Sequence, residues 1–288
     1  MKILITGQRG FVGREFWKRF DAPWNDLTGI DIVEGNDARD FFRKNDEKYD
    51  LVIHLAAVVG GRKTIEGSPL SVAVDLSIDS EMFQWALRTR PGRVVYYSSS
   101  AAYPVSLQKP GVEHLLREDD IDLNDLKSAD LTYGWSKLTG EYLAQFVEKA
   151  GVRVHVFRPF SGYGETQALD YPFPSFIARG KRQDDPFDVW GDGTQVRDFI
   201  HIDDVVSATL TAVDQDVPGP VNLGWGRETN FNELARLVMR EAGYTGKINH
   251  LPAEPTGVHH RVCDPTKMLS FYTPKITLEE GIRRSLGK

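Results

Sequence analysis

The stretch Ile3-Leu4-Ile5-Thr6-Gly7-Gln8-Arg9-Gly10-Phe11-Val12-Gly13 decides the fold of this 288-residue chain. A short apolar run, typical of a buried strand, is followed by three glycines. Beyond them Val12, Phe16 and Phe20 recur at the four-residue spacing of an amphipathic helix. The pattern therefore predicts a strand, a glycine-rich turn and a helix that begins near Gly10.

The three glycines of this stretch favour a nucleotide site over a bare loop. Gly7 would permit a tight turn, Gly10 would let the backbone approach a diphosphate, and Gly13 would let the helix pack closely on the strand. A diphosphate placed there would lie at a helix N-terminus, where free N–H groups and the helix dipole favour an anion.

A second strand is predicted for Thr28-Gly29-Ile30-Asp31-Ile32-Val33, which places Asp31 roughly 20 residues beyond the glycines. A carboxylate at that position can accept hydrogen bonds from the ribose hydroxyls of NAD. It would repel the 2′-phosphate of NADP, although Arg9 beside the glycines could compensate in part. A solvated carboxylate at the end of the strand is the alternative interpretation of Asp31.

Composition excludes several classes of protein. The net charge of −6 comes from interspersed signs with no basic stripe, which argues against nucleic acid as a partner. The single cysteine, Cys263, excludes an internal disulfide framework and fits a reducing compartment. No apolar segment resembles a signal peptide or a membrane span, so we expect a cytoplasmic protein that binds no membrane.

Further strands alternate with helices along the first half of the chain. The nearly continuous apolar run 51–59 predicts a central parallel strand that ends at Gly60-Gly61, and His54 within it is interpreted as a core histidine with no metal. A helix over about 72–88 precedes a strand over 93–97, which leads into Ser98-Ser99-Ser100. This alternation predicts a doubly wound α/β sheet, in which ligands bind at the carboxyl ends of the strands.

The most informative constellation is Tyr133-Gly134-Trp135-Ser136-Lys137, at the start of a predicted helix. Side chains four residues apart on a helix project from the same face. We expect the ammonium group of Lys137 to lower the pKa of Tyr133, which would turn a poor base into a usable one at neutral pH.

These motifs together resemble the extended short-chain dehydrogenase/reductase family of nucleotide-sugar epimerases and dehydratases. The similarity rests on the glycine turn, Asp31, His54-Leu55-Ala56-Ala57, the serine run, Tyr133-x-x-x-Lys137, Arg158-Pro159 and the segment 197–204, and it spans nearly the whole chain. The resemblance implies bound NAD, a nucleotide-diphosphate sugar as substrate, a homodimer and no metal. It also implies a catalytic set of Ser99, Tyr133 and Lys137, with Ser100 as the fallback for Ser99.

The same resemblance implies two sets of binding residues. The cofactor set is Gly7, Arg9, Gly10, Phe11, Val12, Gly13, Asp31, Ile32, Asp37, Ala38, Leu55, Ala56, Ala57, Tyr133, Lys137 and Pro159. The substrate set is Gly60, Gly61, Ser99, Ser100, Ser161, Val189, Arg197 and Arg261. Guanidinium groups match phosphate oxygens in a bidentate manner, so Arg197 and Arg261 are candidates for a diphosphate clamp, with a surface salt bridge as the alternative for each.

We expect a Rossmann-like doubly wound parallel sheet with a smaller α/β substrate-binding domain. Residues 1–165 would form the NAD-binding domain, rejoined by about 198–224, and residues 166–197 and 225–288 would form the substrate-binding domain. The second half is expected to contain helices over 173–181 and 203–213 and strands at 189–190 and 221–223.

Gly60-Gly61 and Tyr103-Pro104 resemble the GDP-fucose synthase and GDP-mannose 3,5-epimerase branches, but both carry a catalytic cysteine where this chain has Ala101. The lysine acid/base of the 3,5-epimerase aligns near Pro172. Deprotonation of a carbon next to a ketone needs a positioned base, which neither residue supplies.

In the dehydratases of this family an Asp and a Glu follow the catalytic Ser or Thr, whereas here Ser100 and Ala101 follow Ser99. The remaining minimal chemistry is 4-epimerisation, as in UDP-glucose 4-epimerase, through a transient 4-keto intermediate. Two residues depart from the family pattern, because Asp75 stands where many relatives have Asn and Ser161 replaces the Asn that often follows Arg-Pro. A 4-keto reductase, a 4,6-dehydratase, a 3,5-epimerase and a non-catalytic NAD-binding regulator are the alternatives.

Overall fold

The computed structural model describes residues 1–288. The strands are β1 (Lys2–Thr6), β2 (Asp26–Ile30), β3 (Leu51–His54), β4 (Arg93–Tyr97), β5 (Arg153–Pro159), β6 (Ser161–Tyr163), β7 (Phe187–Trp190), β8 (Val196–Arg197), β9 (Phe199–His201), β10 (Val221–Leu223), β11 (Thr229–Asn230), β12 (Ile248–Leu251) and β13 (His260–Arg261). The helices are α1 (Phe11–Phe20), α2 (Ala38–Lys44), α3 (Arg62–Gly67), α4 (Pro69–Val72), α5 (Val74–Thr89), α6 (Leu131–Lys149), α7 (Pro172–Arg182), α8 (Ile202–Asp214), α9 (Phe231–Ala242), α10 (Thr266–Leu269) and α11 (Leu278–Leu286).

Six parallel strands form the main sheet, in the order β10-β5-β4-β3-β1-β2. The chain leaves β1 for β2 on one side and returns to β3 on the other, so the order reverses between β1 and β3. In open α/β sheets ligands bind outside the carboxyl ends of the strands at such a reversal. The predicted doubly wound fold is confirmed, and the glycine turn after β1 lies at the reversal.

Successive residues of each strand point to opposite faces of the sheet, and both faces are covered. Ile3 and Ile5 of β1 belong to one buried cluster with α1 and α8, whereas Leu4 belongs to another with α2, α5 and α6. The nearly continuous apolar sequence of the strands follows from this burial on both sides.

A third core lies outside the main sheet and is built from α7, β7, α9 and α11 around Tyr163 and Phe199. Small sheets accompany it, including the pair β12-β7 and the three strands β11-β8-β13. Strand β10 comes late in the chain and joins the main sheet beside β5. The exact domain boundaries given above stay predictions.

Two strands are shorter than the sequence predicts. β2 ends at Ile30 because Asp31 accepts a hydrogen bond from the N–H of Val33 (3.0 Å), which starts a 3₁₀ turn over Ile32–Glu34. β3 ends at His54 because its partner β1 ends at Thr6, and residues 55–59 continue as a loop. None of the helices is both long and apolar enough to cross a bilayer.

Candidate active site

A cavity of about 910 Å³ opens over the carboxyl ends of β1, β3 and β4 and extends to the third core. Its walls on the sheet side include Gly7, Leu55 and Ser99, and those on the other side include Phe173 and Phe231. The volume is within the range of cavities that enclose small-molecule ligands and cofactors. The position at the reversal of strand order makes this cavity the candidate active site.

The glycine turn brings backbone close to backbone. Gly7 has a positive φ of 74°, and a Cβ atom there would lie 2.9 Å from the carbonyl carbon of Leu55. A Cβ atom on Gly13 would lie 2.1 Å from the Gly7 oxygen. Helix α1 begins at Phe11 with Gly10 as its N-cap, and no side chain caps it, so its first N–H groups remain available to an anion.

Asp31 lies at the edge of the same cavity and is buried. Its Oδ2 accepts from the backbone N–H of Arg9 at 2.8 Å, which ties the end of β2 to the glycine turn. The guanidinium of Arg9 forms an ion pair with Glu34 and is therefore engaged within the protein. This pairing weakens the case for Arg9 as a ligand of a 2′-phosphate.

The other residues of the expected cofactor set also line the cavity: Gly10, Phe11, Val12, Gly13, Ile32, Asp37, Ala38, Leu55, Ala56, Ala57 and Pro159. Asp37 caps α2 and forms an ion pair with Arg39 (2.5 Å). Asn36 and Arg39 line the same wall, and sequence reasoning missed both of them although they flank Asp37.

Helix α6 carries Tyr133 and Lys137 into the cavity, and Ser99 faces them from the end of β4. The helix can approach because Gly134 packs on the carbonyl of Ala101, where a Cβ atom would lie 2.3 Å from the oxygen. Ser99 accepts from the N–H of Ala101 (3.1 Å), and its hydroxyl lies near enough to the phenol of Tyr133 to lower the pKa of Tyr133. The three members of the expected catalytic set thus meet at one wall.

Lys137 lowers the pKa of Tyr133 as expected, but the pKa is nevertheless raised above its ordinary value. Burial is the largest influence and disfavours the phenolate. Lys137 and Ser99 lower the pKa of Tyr133, whereas the charges of Asp75 and Asp79 raise it. The spacing of Tyr133 and Lys137 correctly indicates a shared face but carries no information on burial or on the two aspartates.

Lys137 is buried, and its ammonium lies 5.4 Å from the ring centre of Tyr96. Burial opposes its charge, but Asp79, Tyr133 and Asp75 together raise the pKa of Lys137 above its ordinary value.

His54, interpreted as a core histidine, is buried and paired on both ring nitrogens, with Thr6 (2.9 Å) and Asp79 (3.1 Å).

Three arginines, Arg62, Arg197 and Arg261, lie close together at the cavity wall. Arg261 and Arg62 both bind the carboxylate of Asp130, with closest distances of 2.8 and 2.9 Å. Arg197 has no carboxylate partner and donates only to the carbonyls of Val196 (2.8 Å) and Thr256 (3.0 Å). Burial, together with the charges of Arg261 and Arg62, lowers the pKa of Arg197. Arg62 also forms an ion pair with Glu66, so the three arginines share two carboxylates and keep a net positive charge that favours an anion.

Arg62 and Asp130 were missed by sequence reasoning. Arg62 directly follows Gly60-Gly61, and Asp130 directly precedes the helix of Tyr133, so their positions beside motifs were the available signal. Gly60, Gly61 and Ser161 line the cavity as expected, and the N–H of Gly61 donates to Asp170 (2.9 Å).

Two expected substrate residues do not reach the cavity. Ser100 starts a 3₁₀ turn that buries its side chain beneath the wall formed by Ser99 and Ala101. Val189 is fully buried in the third core, because alternation along β7 places it inward and its neighbour Trp190 towards the cavity. No group of three or more His, Cys, Asp or Glu side chains is arranged to hold a metal ion.

Residues 3–224 match the model of the NAD dependent epimerase/dehydratase family. The chain is 27% identical to a dTDP-4-dehydro-6-deoxy-D-allose reductase of a Streptomyces species, over 92% of this chain and 89% of the relative. It is also 27% identical to a putative GDP-L-fucose synthase of Arabidopsis thaliana, over 99% and 90% of the two chains. The crystal structure of a Thermus thermophilus UDP-glucose 4-epimerase with NAD has the same fold (TM-score 0.83, 20% identity, coverage 100% and 98%).

The chain belongs to the NAD dependent epimerase/dehydratase family, because the family model covers most of its length. It is an enzyme of the extended short-chain dehydrogenase/reductase type, within the group of nucleotide-sugar epimerases, dehydratases and reductases, and its cofactor is NAD. The site fits that cofactor. A side chain at Gly7 or Gly13 would clash with neighbouring backbone in the glycine turn, and α1 begins without a side-chain cap.

Proposed function

We propose that the enzyme is an NAD-dependent epimerase that inverts the 4-hydroxyl of a nucleotide-diphosphate sugar through a transient 4-keto intermediate. The observation that carries the proposal is the convergence of Ser99, Tyr133 and Lys137 at one cavity wall on which position 101 is an alanine. This set can move the proton of a hydroxyl group. It contains no additional base for a carbon-bound proton.

Several other residues at the cavity wall are engaged or unsuited to that second task. Asp130 is bound by two arginines, and Asp170 accepts from the N–H of Gly61. Burial raises the pKa of Tyr171, and no neighbouring cation favours its phenolate as Lys137 does for Tyr133. Pro172, at the position expected of a lysine acid/base, has no ionisable group.

The catalytic roles follow from these positions. NAD, when bound, supplies the acceptor and later the donor of the hydride at carbon 4. Tyr133 takes the proton of the 4-hydroxyl and returns it after the ketone has turned its other face. The ammonium of Lys137 stabilises Tyr133 as the phenolate before it takes this proton, and the hydroxyl of Ser99 orients the sugar oxygen.

We propose that Arg197 and Arg261 hold the substrate by binding its diphosphate. Both arginines line the cavity, and Arg197 has donors that no carboxylate of the protein occupies. Ser161, Gly60 and Gly61, which also line the cavity, would contact the sugar or its linkage. Trp190 replaces Val189 as the candidate contact from β7.

The reaction can be tested in heavy water with a panel of nucleotide sugars. Hydride return at carbon 4 exchanges no carbon-bound hydrogen with solvent, so we expect an epimerised product without deuterium at carbons 3, 5 or 6 by NMR. A 3,5-epimerase or a dehydratase would introduce deuterium, and a 4-keto reductase would instead consume NADH in proportion to product. Either result would refute the proposal. Tyr133→Phe should form product at least about 100-fold more slowly, since general acid–base catalysis contributes that much or more.

We also propose a homodimer formed through α6. Trp135, Tyr142 and Phe146 lie on this helix with exposed fractions of 41%, 41% and 48%, and the rings of Tyr142 and Phe146 contact each other edge to face. Exposed aromatic residues of this kind are enriched at protein interfaces. Sedimentation velocity at micromolar concentration should show a dimer, and a monomer there would refute this association.

A further inference from the structure

Two aspartates lie one turn apart on α5 and act on the same lysine. Asp75 and Asp79 are separated by four residues and are 0% and 1% exposed. Residues at this spacing share one face of a helix. Both carboxylates favour the charged form of Lys137 across the contact between α5 and α6. A buried ammonium therefore faces two buried acids.

Asp79 is fully provided with hydrogen bonds. Its Oδ2 accepts from the hydroxyl of Tyr96 at 2.5 Å, and its Oδ1 lies 3.1 Å from Nε2 of His54. Burial opposes the charge of Asp79, but Lys137, His54 and Tyr96 outweigh it and lower the pKa of this carboxyl. Asp79 consequently remains the charged partner of Lys137.

Only one of the two carboxylate oxygens of Asp75 has a hydrogen-bond partner. Its Oδ1 accepts from the N–H of Val58 at 2.6 Å, while its Oδ2 is buried with no hydrogen-bond partner. An unpartnered oxygen is costly for a carboxylate and less so for a carboxylic acid. Burial raises the pKa of Asp75 to about 6, against the opposing effects of Lys137 and Val58.

The charged and titratable groups around Asp75 come from each neighbouring element. Lys137 and Tyr133 face it from α6, and Asp79 lies on its own helix. His54 of β3 and Tyr96 of β4 act on it only through Asp79, to which both are hydrogen-bonded. When two acids interact and only one of them has donors for both of its oxygens, that acid stays ionised and the other takes up a proton.

We propose that Asp75 is a positioning residue of the catalytic centre, which takes up and releases a proton on Oδ2 beside Lys137 and thereby sets how readily Tyr133 ionises. The proposal rests on the proposed function only in treating Tyr133 as the base. When Asp75 is charged, its field opposes the phenolate. When Asp75 is neutral, that opposition is removed, so the ionisations of Asp75 and Tyr133 are coupled.

The decisive variant is Asp75→Asn, which keeps an acceptor for the N–H of Val58 but fixes the residue in a neutral form. The ionisation of Tyr133 is followed by ultraviolet difference spectra of the holoenzyme, with Tyr133→Phe subtracted in each background. We expect the Tyr133 ionisation of Asp75→Asn to shift to lower pH by about half a unit or more, because a like charge has been removed. The acid limb of kcat/KM should shift in the same direction.

A matched control is Glu81→Gln on the same helix, which removes a negative charge that pairs with Arg43 at the surface. It should leave both profiles in place. Identical Tyr133 titrations in the wild type and Asp75→Asn would overturn the proposal, as would a uniform loss of activity with no shift along the pH axis. The spectra need no turnover, so a failure of the proposed epimerase activity is distinguished from a failure of this inference.

Thermal melting of the same variants gives a second readout that also establishes folding. The folded-state pKa of Asp75 is raised above the ordinary value of 3.8 for this carboxyl, so the folded protein binds the extra proton between about pH 4 and 6. The cost of the buried charge therefore builds as the pH rises through that window. Asp75→Asn should melt above the wild type at pH 7, and the difference should disappear below about pH 4. Equal differences at both pH values would contradict proton uptake by Asp75.

Discussion

Two arginines, the fully buried Arg158 of β5 and the part-buried Arg197 at the cavity wall, are surrounded in opposite ways. Arg158 is 1% exposed and binds the carboxylate of Glu141 at 2.9 and 2.6 Å, the hydroxyl of Tyr103 at 3.0 Å and the carbonyl of Glu118 at 2.9 Å. Arg197 reaches two backbone carbonyls and no carboxylate.

The electrostatic consequences differ accordingly. Burial opposes the charge of Arg158, yet Glu141 and Tyr103 more than compensate and raise the pKa of Arg158. At Arg197 burial and two neighbouring arginines lower the pKa, with Asp130 opposing them in part. Buried polar groups that serve the scaffold are satisfied within the protein, whereas a part-buried guanidinium at a cavity wall with no carboxylate partner can bind an anionic ligand. The presence or absence of a carboxylate partner therefore separates a scaffold arginine from a site arginine more clearly than residue type does.

The largest expected effect is on the scaffold side of the comparison. Glu141→Gln leaves the charge of Arg158 buried without its counter-ion, so the free energy of unfolding should fall by about 3–5 kcal/mol. Urea titration of the full chain measures this loss. The matched control is Glu148→Gln on the same helix, whose partner Arg153 is partly exposed. This control should change stability by less than about 1 kcal/mol. Equal losses in the two variants would contradict the distinction between a buried scaffold pair and a partly exposed pair.

The next effect is expected on the side of the binding site. Arg197→Met should weaken the binding of UDP or GDP by about 10- to 100-fold, since a charge-assisted hydrogen bond contributes about 1.5–3 kcal/mol. The melting temperature should stay the same or rise, because an uncompensated charge has been removed. Isothermal calorimetry measures the affinity, and Arg182→Met, at a surface pair with Asp184, is the control. Undiminished affinity with reduced stability would place Arg197 in the scaffold.

Local sequence pattern was enough to predict the sheet, the glycine turn and the shared face of Tyr133 and Lys137. Each of these depends on spacing along one element or on the alternation of strands and helices. Ser100 and Val189 were misplaced because one residue along a turn or strand reverses the direction of a side chain. Such a reversal depends on where a neighbouring strand ends, which spacing alone does not reveal.

The missed groups depend on contacts between distant parts of the chain. Arg62 and Arg261 meet at Asp130 across 68 and 131 residues, and no local pattern links these positions. Asp75 was noted only as a departure from the family's asparagine. Its importance becomes visible when Oδ2 is found buried without a partner near Lys137.

The smallest expected effect concerns Arg9. Its partner Glu34 does not line the cavity, so Glu34 can be replaced without a change in the cavity wall. Glu34 binds the guanidinium of Arg9 and also accepts from Gln8 at 2.9 Å. Glu34→Gln would leave Arg9 as a cation without a carboxylate, the condition that distinguishes Arg197 from Arg158. We expect the affinity for NADP to rise by up to about 5-fold, since a partly exposed ion pair is worth about 1 kcal/mol or less.

The affinity for NAD should change little in Glu34→Gln, because Asp31 keeps its hydrogen bonds to the backbone N–H groups of Arg9 and Val33. NADP should still bind more weakly than NAD, since the carboxylate of Asp31 continues to repel a 2′-phosphate. The double variant Arg9→Met, Glu34→Gln separates the two contributions when both dinucleotides are titrated by fluorescence. If the gain for NADP persisted in the double variant, it would come from the loss of the Glu34 charge, and an unpaired Arg9 would not act as a phosphate ligand.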